Sequence, residues 1–233
     1  MALPQAPTAS RWVRRRSDAF ALVAGVAVLV LGMVVVRHGT VSGFEEAVFR
    51  AINDLPGALY LPLWPVQQLG VVLIGPAVAI VAAILRRYRL ALAALCATVA
   101  KLVLERVVKA FVSRQRPGST IAVDIHARGN VSLTGESFVS GHAVLIAALA
   151  MLVSPYLPGR WKIVPWALVG LVAFTRVYVG AHNPLDVICG AALGIAIGGA
   201  LNLAFGVPRD PTAVRRERAS PRRRAAPSAR PGS

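Results

Sequence analysis

Long apolar runs make up most of this 233-residue chain, and polar residues are concentrated between them. The first run extends from Ala19 to Val36. It is long enough to cross a hydrocarbon core of about 30 Å, because a helix rises about 1.5 Å per residue. The order of the runs predicts six membrane-spanning helices, near Phe20–Val36, Val66–Leu85, Leu90–Val112, Ala143–Leu157, Val164–Val179 and Leu185–Phe205. We therefore predict an all-α integral membrane bundle of six helices.

The segment between the first two runs has a different pattern. In "VSGFEEAVFRAINDLPG" the apolar residues recur at helical spacing, but the segment is too polar to span a membrane. It predicts an amphipathic helix at the membrane interface. The first run itself is longer than the apolar region of a signal peptide, so we expect it to be retained as the first span.

Charge orients the predicted bundle. The chain has 26 Lys and Arg residues against 10 Asp and Glu residues, a formal net charge of +16. Basic residues accumulate before the first span and after the second, fourth and sixth, and these places share one side if the spans alternate. The positive-inside rule makes that side, and both termini, cytoplasmic. This distribution favours membrane lipids over nucleic acid as partners, and it leaves the oligomeric state open.

The chain divides into three parts. Residues 1–18 are predicted to be a cytoplasmic N-terminal segment, and residues 19–206 a membrane domain. Residues 207–233 are rich in Pro, Arg and Ser and cannot bury enough apolar surface to fold, so we predict a disordered basic tail in the cytoplasm. Within the membrane domain, the spacing of Gly190 and Gly194 is typical of close helix packing.

Three polar segments fall on the opposite, outward side. They are "KAFVSRQRP" (Lys109–Pro117) after the third span, "VSGH" (Val139–His142) at the start of the fourth, and "TRVYVGAHNPLD" (Thr175–Asp186) between the fifth and sixth. The segments are far apart in sequence but lie at one membrane level. We expect them to meet and form a site.

The cations of these segments favour an anion site. Lys109, Arg116 and Arg176 lie on the side that is otherwise poor in basic residues, and the guanidinium fork suits phosphate oxygens. For any one of them alone, snorkelling to lipid headgroups is the alternative. Lys101, Glu105 and Lys109 follow i,i+4 spacing, so Glu105 either positions Lys109 or forms a structural ion pair.

The segment "VSGH" has the pattern of a helix start. Ser140 is placed to cap the fourth span, and the free N–H groups of Gly141 and His142 are then expected to point outward. A helix N-terminus of this kind binds anions readily. We therefore expect "VSGH" to contribute to the same anion site as the cations.

The last segment has a second helix start. Asn183 and Pro184 are typical of an N-cap and a first helical residue, which places His182 just before the sixth span and Asp186 in its first turn. Asp186 can then fold back and orient the ring of His182. The alternative is that Asp186 is a simple capping carboxylate.

Two histidines and a carboxylate among three cations suit phosphoryl transfer by a histidine nucleophile. Fixed cations and backbone N–H groups stabilise the charge that spreads over the phosphoryl oxygens. A metal-dependent phosphatase needs clustered carboxylate or His ligands, and the ten acidic residues do not supply a cluster on this side. We therefore expect neither a metal nor another cofactor.

The three segments also resemble the three signature motifs of the type 2 phosphatidic acid phosphatase (PAP2) family, which shares its catalytic core with the vanadium haloperoxidases. The resemblance covers about residues 90–205. The matching residues are Lys109, Arg116 and Pro117; Ser140, Gly141 and His142; and Arg176, His182 and Asp186. It implies a six-helix membrane bundle of the PAP2 and haloperoxidase type.

The resemblance also implies roles for these residues. His182 is expected to be the nucleophile that forms a phosphohistidine, Asp186 its orienting partner, and His142 the acid that protonates the leaving oxygen. The residues implied to hold the phosphate are Lys109, Arg116, Ser140, Gly141 and Arg176. Two positions depart from the family pattern: Val139 replaces a usual Pro and loses its fixed φ, and Thr175 replaces a usual Ser but keeps the hydroxyl.

We therefore expect a membrane enzyme that hydrolyses a lipid phosphate or diphosphate on the outer face, resembling enzymes acting on phosphatidic acid or on polyprenyl diphosphate. One alternative is a haloperoxidase, although that chemistry needs no bilayer. The other is a non-catalytic lipid-phosphate-binding or transport protein that uses the His/Asp pair as a proton relay. Transport favours ionisable residues in mid-span, whereas here they gather at one end.

Overall fold

The computed structural model describes residues 12–121 and 124–209. Helices dominate this part of the chain, which confirms the predicted all-α class. The helices are α1 (Arg16–Val36), α2 (Gly43–Asn53), α3 (Tyr60–Gln68), α4 (Ile74–Ile84), α5 (Tyr88–Phe111), α6 (Pro117–Thr120), α7 (Gly141–Val153), α8 (Ile163–Tyr178) and α9 (Pro184–Phe205). Short 3-10 turns cover Gly57–Leu59, Ser154–Tyr156 and Gly159–Lys162.

Helix α7 lies at the centre of the bundle, with nearly every side chain buried. It packs closely against α9 because glycines of α9 face it. A Cβ atom added to Gly190 would lie 2.7 Å from the carbonyl oxygen of Ser140, and one added to Gly194 would collide with the carbonyl of Val144. The predicted glycine contacts are therefore present, and they bring the first turns of α7 and α9 together.

Helix α1 packs on the other side of α9. A Cβ atom on Gly25 would lie 2.5 Å from the carbonyl oxygen of Ala192, so these two backbones also approach closely. Apolar side chains on the outer face of α1 remain exposed, as do many on α5, including Phe20, Leu31, Val35, Leu92, Val99 and Phe111. By length and composition, α1 and α9 can each cross a membrane. Exposed apolar side chains along the length of two helices are typical of a lipid-facing surface.

The second predicted span, Val66–Leu85, is wrong as a continuous helix. Helix α3 ends at Gln68 and α4 begins only at Ile74. Gly70 lies in the turn between them, against the side chain of His142: a Cβ atom there would be 2.5 Å from the His142 Cβ. Gly70 is buried, whereas Val72 and Leu73 of the same turn are exposed like the apolar outer faces of the helices, so apolar composition continues through the break.

The predicted amphipathic helix is present as α2. Its start is defined by Ser42, whose side chain accepts a hydrogen bond from the backbone N–H of Glu45 at 3.2 Å. Phe49 is buried while Phe44 is exposed, so α2 has one face on the bundle. The buried face also contains Glu45, whose carboxylate reaches the functional site.

The two ends of the described chain meet in a short antiparallel pair. Strand β1 (Trp12–Val13) pairs with β2 (Val207–Pro208), with Trp12 opposite Pro208. Strands of two residues are too short to show the alternation of apolar and polar residues from which a strand is predicted. Most of the predicted N-terminal segment and basic tail fall in residues 1–11 and 210–233, outside the described residues, and both assignments stay predictions.

Candidate active site

The structure brings the three polar segments together at one end of the bundle. The backbone N–H of Ser140, just before α7, donates to the carbonyl of Asp186 in α9 at 3.0 Å. Arg116, after α5, donates from Nη1 to the carbonyl of Ala181 at 3.1 Å. These contacts join the ends of α5, α7 and α9, so the segments share one level of the molecule.

A cavity of about 350 Å³ opens at this end. Three of the predicted site residues line it: Arg116, His142 and Arg176. The remaining wall comes from α3 and from the loop before α7, through Tyr60, Trp64, Gln67, Gln68, Asn130, Val131 and Ser132. The lining does not include His182, Lys109, Ser140 or Gly141.

Two guanidinium groups supply the positive charge of the cavity. Arg176 is 7% exposed and donates from Nη1 to the side-chain oxygen of Gln67 at 3.2 Å. Within the described residues, its buried Nε has no hydrogen-bond partner. Burial lowers the pKa of Arg116, whose Nη1 donates to the carbonyls of Ala181 and Ser132. Both groups keep donors that an anion can accept from.

The i,i+4 pairs on α5 are present. Glu105 accepts from Lys109 Nζ at 2.8 Å through one carboxylate oxygen and from Lys101 Nζ at 2.8 Å through the other. The carboxylate also lies where a Cβ atom of Gly141 would be, directly beside the start of α7. Glu105 therefore both neutralises Lys109 and holds it next to the "VSGH" segment.

The predicted cap at Ser140 is wrong in its details. Ser140 occupies the N-cap position of α7, but its side chain makes no capping hydrogen bond. Its Oγ is buried and, within residues 12–121 and 124–209, has no hydrogen-bond partner. An unsatisfied buried hydroxyl is costly, so a group that binds here gains a ready partner.

Asp186 caps α9 and also lies close to His182. One carboxylate oxygen, Oδ2, accepts from the backbone N–H of Asn183 at 2.8 Å, so Asp186 caps α9. The same oxygen lies 3.8 Å from Nδ1 of His182, which is too long for a direct hydrogen bond. Ser137 fills the gap: its hydroxyl contacts Nδ1 at 3.3 Å and makes a short hydrogen bond to Oδ2.

His182 is almost fully buried, with 3% of its surface exposed. Burial, opposed by Asp186 and assisted by the nearby Arg176 and Arg116, lowers its pKa to about 4. The ring is therefore neutral at pH 7. Because Nδ1 faces Ser137 and Asp186, Nε2 is the nitrogen left for chemistry.

Sequence reasoning missed the cation that holds Asp186. Arg114 is fully buried and donates from Nη1 to Oδ1 of Asp186 at 3.0 Å. Its Nη2 donates to Glu45 of α2 at 2.5 Å, and the other Glu45 oxygen accepts from the backbone N–H of Leu185 at 2.9 Å. Arg114 lies in the quoted segment "KAFVSRQRP", but a lone arginine gives no local sign of two buried carboxylate partners.

The position of Ser137 follows from a local backbone pairing. Its N–H donates to the carbonyl of Arg114 at 2.7 Å, and Gln115 pairs with Glu136 in an isolated bridge. The two stretches run side by side and deliver Arg114 and Ser137 to opposite oxygens of Asp186. The sequence signal available was the serine just before "FVSGH", which has no distinguishing feature by itself.

The outer-loop residue Arg128 has a structural role. It donates to the carbonyls of Asn53, Leu55 and Tyr178 at 2.7–2.8 Å, and its guanidinium lies 4.2 Å from the centre of the Tyr178 ring. Neither Arg128 nor the exposed His126 lines the cavity. Arg128 therefore ties the loop to α2 and α8.

In the part of the chain that the structure describes, no group of three or more His, Cys, Asp or Glu side chains is arranged to hold a metal ion. The charged groups at the site are instead ion pairs and guanidinium groups. The site contains the oriented, neutral imidazole of His182, the imidazole of His142, and several cationic hydrogen-bond donors. This set suits transfer of a phosphoryl group.

Comparison with known families gives a match over the same region. The model described as the PAP2 superfamily matches residues 88–208, just over half of the chain. This stretch contains α5 to α9 and all three polar segments.

Three curated proteins match shorter stretches. Lipid A 4'-phosphatase of Porphyromonas gingivalis is 36% identical over 64 residues, 26% of each chain. Undecaprenyl-diphosphatase of Sulfolobus acidocaldarius is 43% identical over 68 residues, 26% of this chain and 30% of its own. Decaprenylphosphoryl-5-phosphoribose phosphatase of Mycobacterium tuberculosis is 36% identical over 94 residues, 39% of this chain and 48% of its own. The chain spans less than half the length of each.

Two crystal structures share the fold. Aquifex aeolicus LpxE superposes with a TM-score of 0.63 at 24% identity, covering 69% of this chain and 95% of LpxE. The transmembrane PAP2-type phosphatidylglycerolphosphate phosphatase of Bacillus subtilis superposes with a TM-score of 0.60 at 20% identity, covering 77% of this chain and 94% of the neighbour.

Proposed function

Since this chain belongs to the PAP2 superfamily, as its three motifs predicted, we propose that it is a membrane phosphatase that hydrolyses a phosphomonoester or diphosphate of a lipid. The observation that carries the proposal is the neutral His182, held by Ser137 and Asp186 near the buried Arg176 and the half-buried Arg116. A held nucleophile beside fixed positive charge is what phosphoryl transfer requires.

A lipid substrate is supported by the surroundings of the site. The cavity lies at one end of helices whose outer faces are apolar and exposed, so a headgroup can enter while its chains stay in the membrane. The three curated relatives are named for lipid A, undecaprenyl diphosphate and decaprenylphosphoryl-phosphoribose substrates, all of which join phosphate to a lipid. We therefore propose phosphatidic acid-like or polyprenyl diphosphate-like substrates.

The first chemical step forms a phosphohistidine. Nε2 of His182 attacks phosphorus while the bond from phosphorus to the leaving oxygen breaks. His142 donates its proton to that oxygen, which leaves as the lipid alcohol, or as the lipid monophosphate when a diphosphate is cleaved. Arg116 and Arg176 stabilise the charge on the phosphoryl oxygens, assisted by Lys109 and by the groups at the start of α7, Ser140 and Gly141.

The second step releases phosphate. Water attacks phosphorus, its proton passes to His142, and the bond between phosphorus and nitrogen breaks. Inorganic phosphate leaves, and both histidines return to their starting protonation states. Asp186 and Ser137 keep the His182 ring oriented through both steps, because its positive charge in the intermediate lies against the carboxylate.

We propose that the site faces outward and that both chain ends are cytoplasmic. Basic residues at the opposite end of the bundle support this orientation under the positive-inside rule, among them Arg14, Arg16, Arg86, Arg87, Arg89 and Arg160. At the site end Arg114 and Arg176 are buried, Lys109 is paired with Glu105 and Arg116 lines the cavity, whereas Arg37 and Arg106 are exposed. The outer leaflet then supplies the substrate.

The roles of the two histidines are tested with purified protein and two substrates. His182→Ala should form no phosphoenzyme and release no phosphate from either phosphatidic acid or p-nitrophenyl phosphate. His142→Ala should lose lipid hydrolysis but still form phosphoenzyme from the aryl ester, because that leaving group needs no proton. A phosphorylated His182→Ala protein, or no label on His142→Ala with the aryl ester, would contradict this assignment.

Two further measurements separate the proposal from its alternatives. Hydrolysis should persist in EDTA and should be inhibited by vanadate, which mimics five-coordinate phosphorus. Loss of activity in chelator with rescue by Mg²⁺ would contradict the metal-independent mechanism. Lipid binding without phosphate release by the wild-type protein, across phosphatidic acid and polyprenyl diphosphate, would instead support a binding or transport protein.

A further inference from the structure

A second, larger cavity lies at the other end of the bundle. Its volume is about 1330 Å³, and it is formed where α1 begins, where α4 turns into α5, and where α7 and α9 end. Helix α9 has 22 residues and runs from the histidine site to this cavity, so about 33 Å separates the two. The cavity is therefore independent of the chemistry at the histidine site.

The lining of this basic cavity is strongly cationic. None of the described residues that line it is acidic. Its basic residues are Arg15, Arg86, Arg87, Arg89, Lys162 and Arg209. Arg15 is neutralised from behind by the buried Asp18, at 2.7 and 2.8 Å. Like charges gathered in one concave site repel one another, and an anionic ligand relieves that repulsion.

Aromatic rings hold two of these guanidinium groups in place. Arg87 lies 5.2 Å from the ring centre of Tyr156, and Arg89 lies 4.7 Å from that of Trp12. Arg89 also donates to the carbonyl of Phe205 at 2.7 Å, at the end of α9. Stacked guanidinium groups keep their edges available for phosphate oxygens.

Arg86 occupies a backbone conformation that favours glycine. Its φ is +55°, and it follows Leu85, the C-cap of α4, at the position where helices commonly have glycine. An arginine here costs stability compared with glycine. Its backbone N–H donates to the carbonyl of Ala83 at 2.8 Å, but in the described residues its guanidinium makes no hydrogen bond or ion pair. A charge kept at an unfavourable position indicates a partner outside the chain.

The positive-inside rule alone explains basic residues at this face but not their arrangement around a cavity. Arg16 and Arg160 are exposed at the same end and outside the cavity, as the rule requires. The cavity also has an apolar wall, including Val13, Leu85 and Leu157. A phosphate group with attached acyl chains matches both kinds of surface.

We propose that this basic cavity binds the phosphodiester headgroup of an anionic phospholipid in the leaflet opposite the histidine site. The cations and stacked guanidinium groups contact the phosphate, and the apolar wall contacts the first part of the acyl chains. The bound lipid bridges α1, the α4–α5 turn and the end of α7. This proposal does not depend on the proposed phosphatase activity.

The test is native mass spectrometry of purified protein titrated with phosphatidylglycerol or phosphatidylcholine in mixed micelles. Phosphatidylglycerol should bind more tightly. Arg86→Gly combined with Arg87→Gln should weaken its binding by about 25-fold, taking roughly fivefold for each arginine. The matched control, Arg16→Gln combined with Arg160→Gln, removes the same charge outside the cavity and should change affinity by less than about threefold.

Each arm can overturn the proposal. Equal binding of both lipids, unchanged affinity in the cavity variant, or equal loss in the control variant would show that no specific headgroup site exists. Displacement of the lipid by millimolar inorganic phosphate would show that the cavity takes a free anion instead. Arg116→Gln combined with Arg176→Gln should leave this binding unchanged, since those residues belong to the histidine site.

A second measurement needs no cavity variant and covers the case in which that variant fails to fold. Photoactivatable phosphatidylglycerol should crosslink to the wild-type segment of residues 155–159, which lines the basic cavity. Excess unlabelled phosphatidylglycerol should suppress the crosslink, and phosphatidylcholine should not. Crosslinks confined to the exposed faces of α1 and α5 would overturn the proposal.

Discussion

Arg114 is fully buried between two carboxylates that are also buried, those of Asp186 and Glu45. Replacing it by methionine keeps much of the side-chain volume but leaves both carboxylates without their cation. Breaking a buried ion pair by removing one partner costs about 3–5 kcal/mol, mainly because a charge is left unpaired. At about 2–4 °C per kcal/mol for a chain of this size, Arg114→Met should lower the unfolding temperature by about 6–20 °C.

The measurement is thermal unfolding of purified protein in detergent, with activity recorded well below the transition. Arg50→Met is the matched control: Arg50 pairs with Glu46 at 2.7 Å, but the side chains are 42% and 35% exposed. Such a surface pair contributes at most about 1 kcal/mol. Arg114→Met should also reduce turnover at least tenfold, because Asp186 loses a donor that positions it.

A compensating substitution sharpens the test. Adding Glu45→Gln to Arg114→Met removes one of the two unpaired charges, so part of the lost stability should return. An unfolding temperature of Arg114→Met within about 2 °C of wild type, like that of Arg50→Met, would refute the reasoning. So would a double variant that is less stable than Arg114→Met alone.

Three further predictions follow from other parts of the structure. Gly70→Ala should lower lipid hydrolysis severalfold, because the added Cβ atom would lie 2.5 Å from the Cβ of His142. Gly170→Ala should leave hydrolysis unchanged, because no atom lies within 4 Å of the added Cβ. Because burial lowers the pKa of His182 to about 4, the unfolded chain takes up a proton between about pH 6.5 and 4 that the folded protein does not. Stability should therefore fall as pH drops through this window, and His182→Gln should flatten that part of the profile of unfolding temperature. In a cysteine-free background, Thr134→Cys should react with an impermeant thiol reagent on intact cells and Arg160→Cys should not; the reverse pattern would invert the proposed orientation.

Local sequence signals were sufficient for several features of the site. The i,i+4 spacing of Lys101, Glu105 and Lys109 predicted their ion pairs, because residues four apart on a helix are neighbours whatever surrounds them. The Asn-Pro pair before α9 predicted where that helix begins, and Asp186 three residues after Asn183 predicted its turn back to the backbone. Each of these signals depends only on residues within one or two helical turns, so it can be read without knowing the tertiary structure.

The predictions that were wrong concern features that depend on contacts outside their own segment. The second apolar run was predicted as one span, but it breaks at Gly70 because that turn packs against His142. Ser140 has the residue type and position of a cap, yet its hydroxyl makes no hydrogen bond within the described residues, while its backbone N–H donates to the carbonyl of Asp186. Residue type predicted the position in both segments, and the neighbouring helices determined the contacts.

The sequence by itself determined the membrane character of the chain, the helical class, the amphipathic α2 and the residues of the three motifs, because periodicity, capping and motif spacing are properties of short segments. Only the tertiary structure decided that Arg114 lies between Asp186, 72 positions away, and Glu45, 69 positions away. It also decided that Ser137 bridges His182 and Asp186, and that scattered arginines surround a second cavity. The physical reason is that a buried charge must be paired, because an unpaired one costs much free energy. Which residue becomes its partner depends on how distant helices pack.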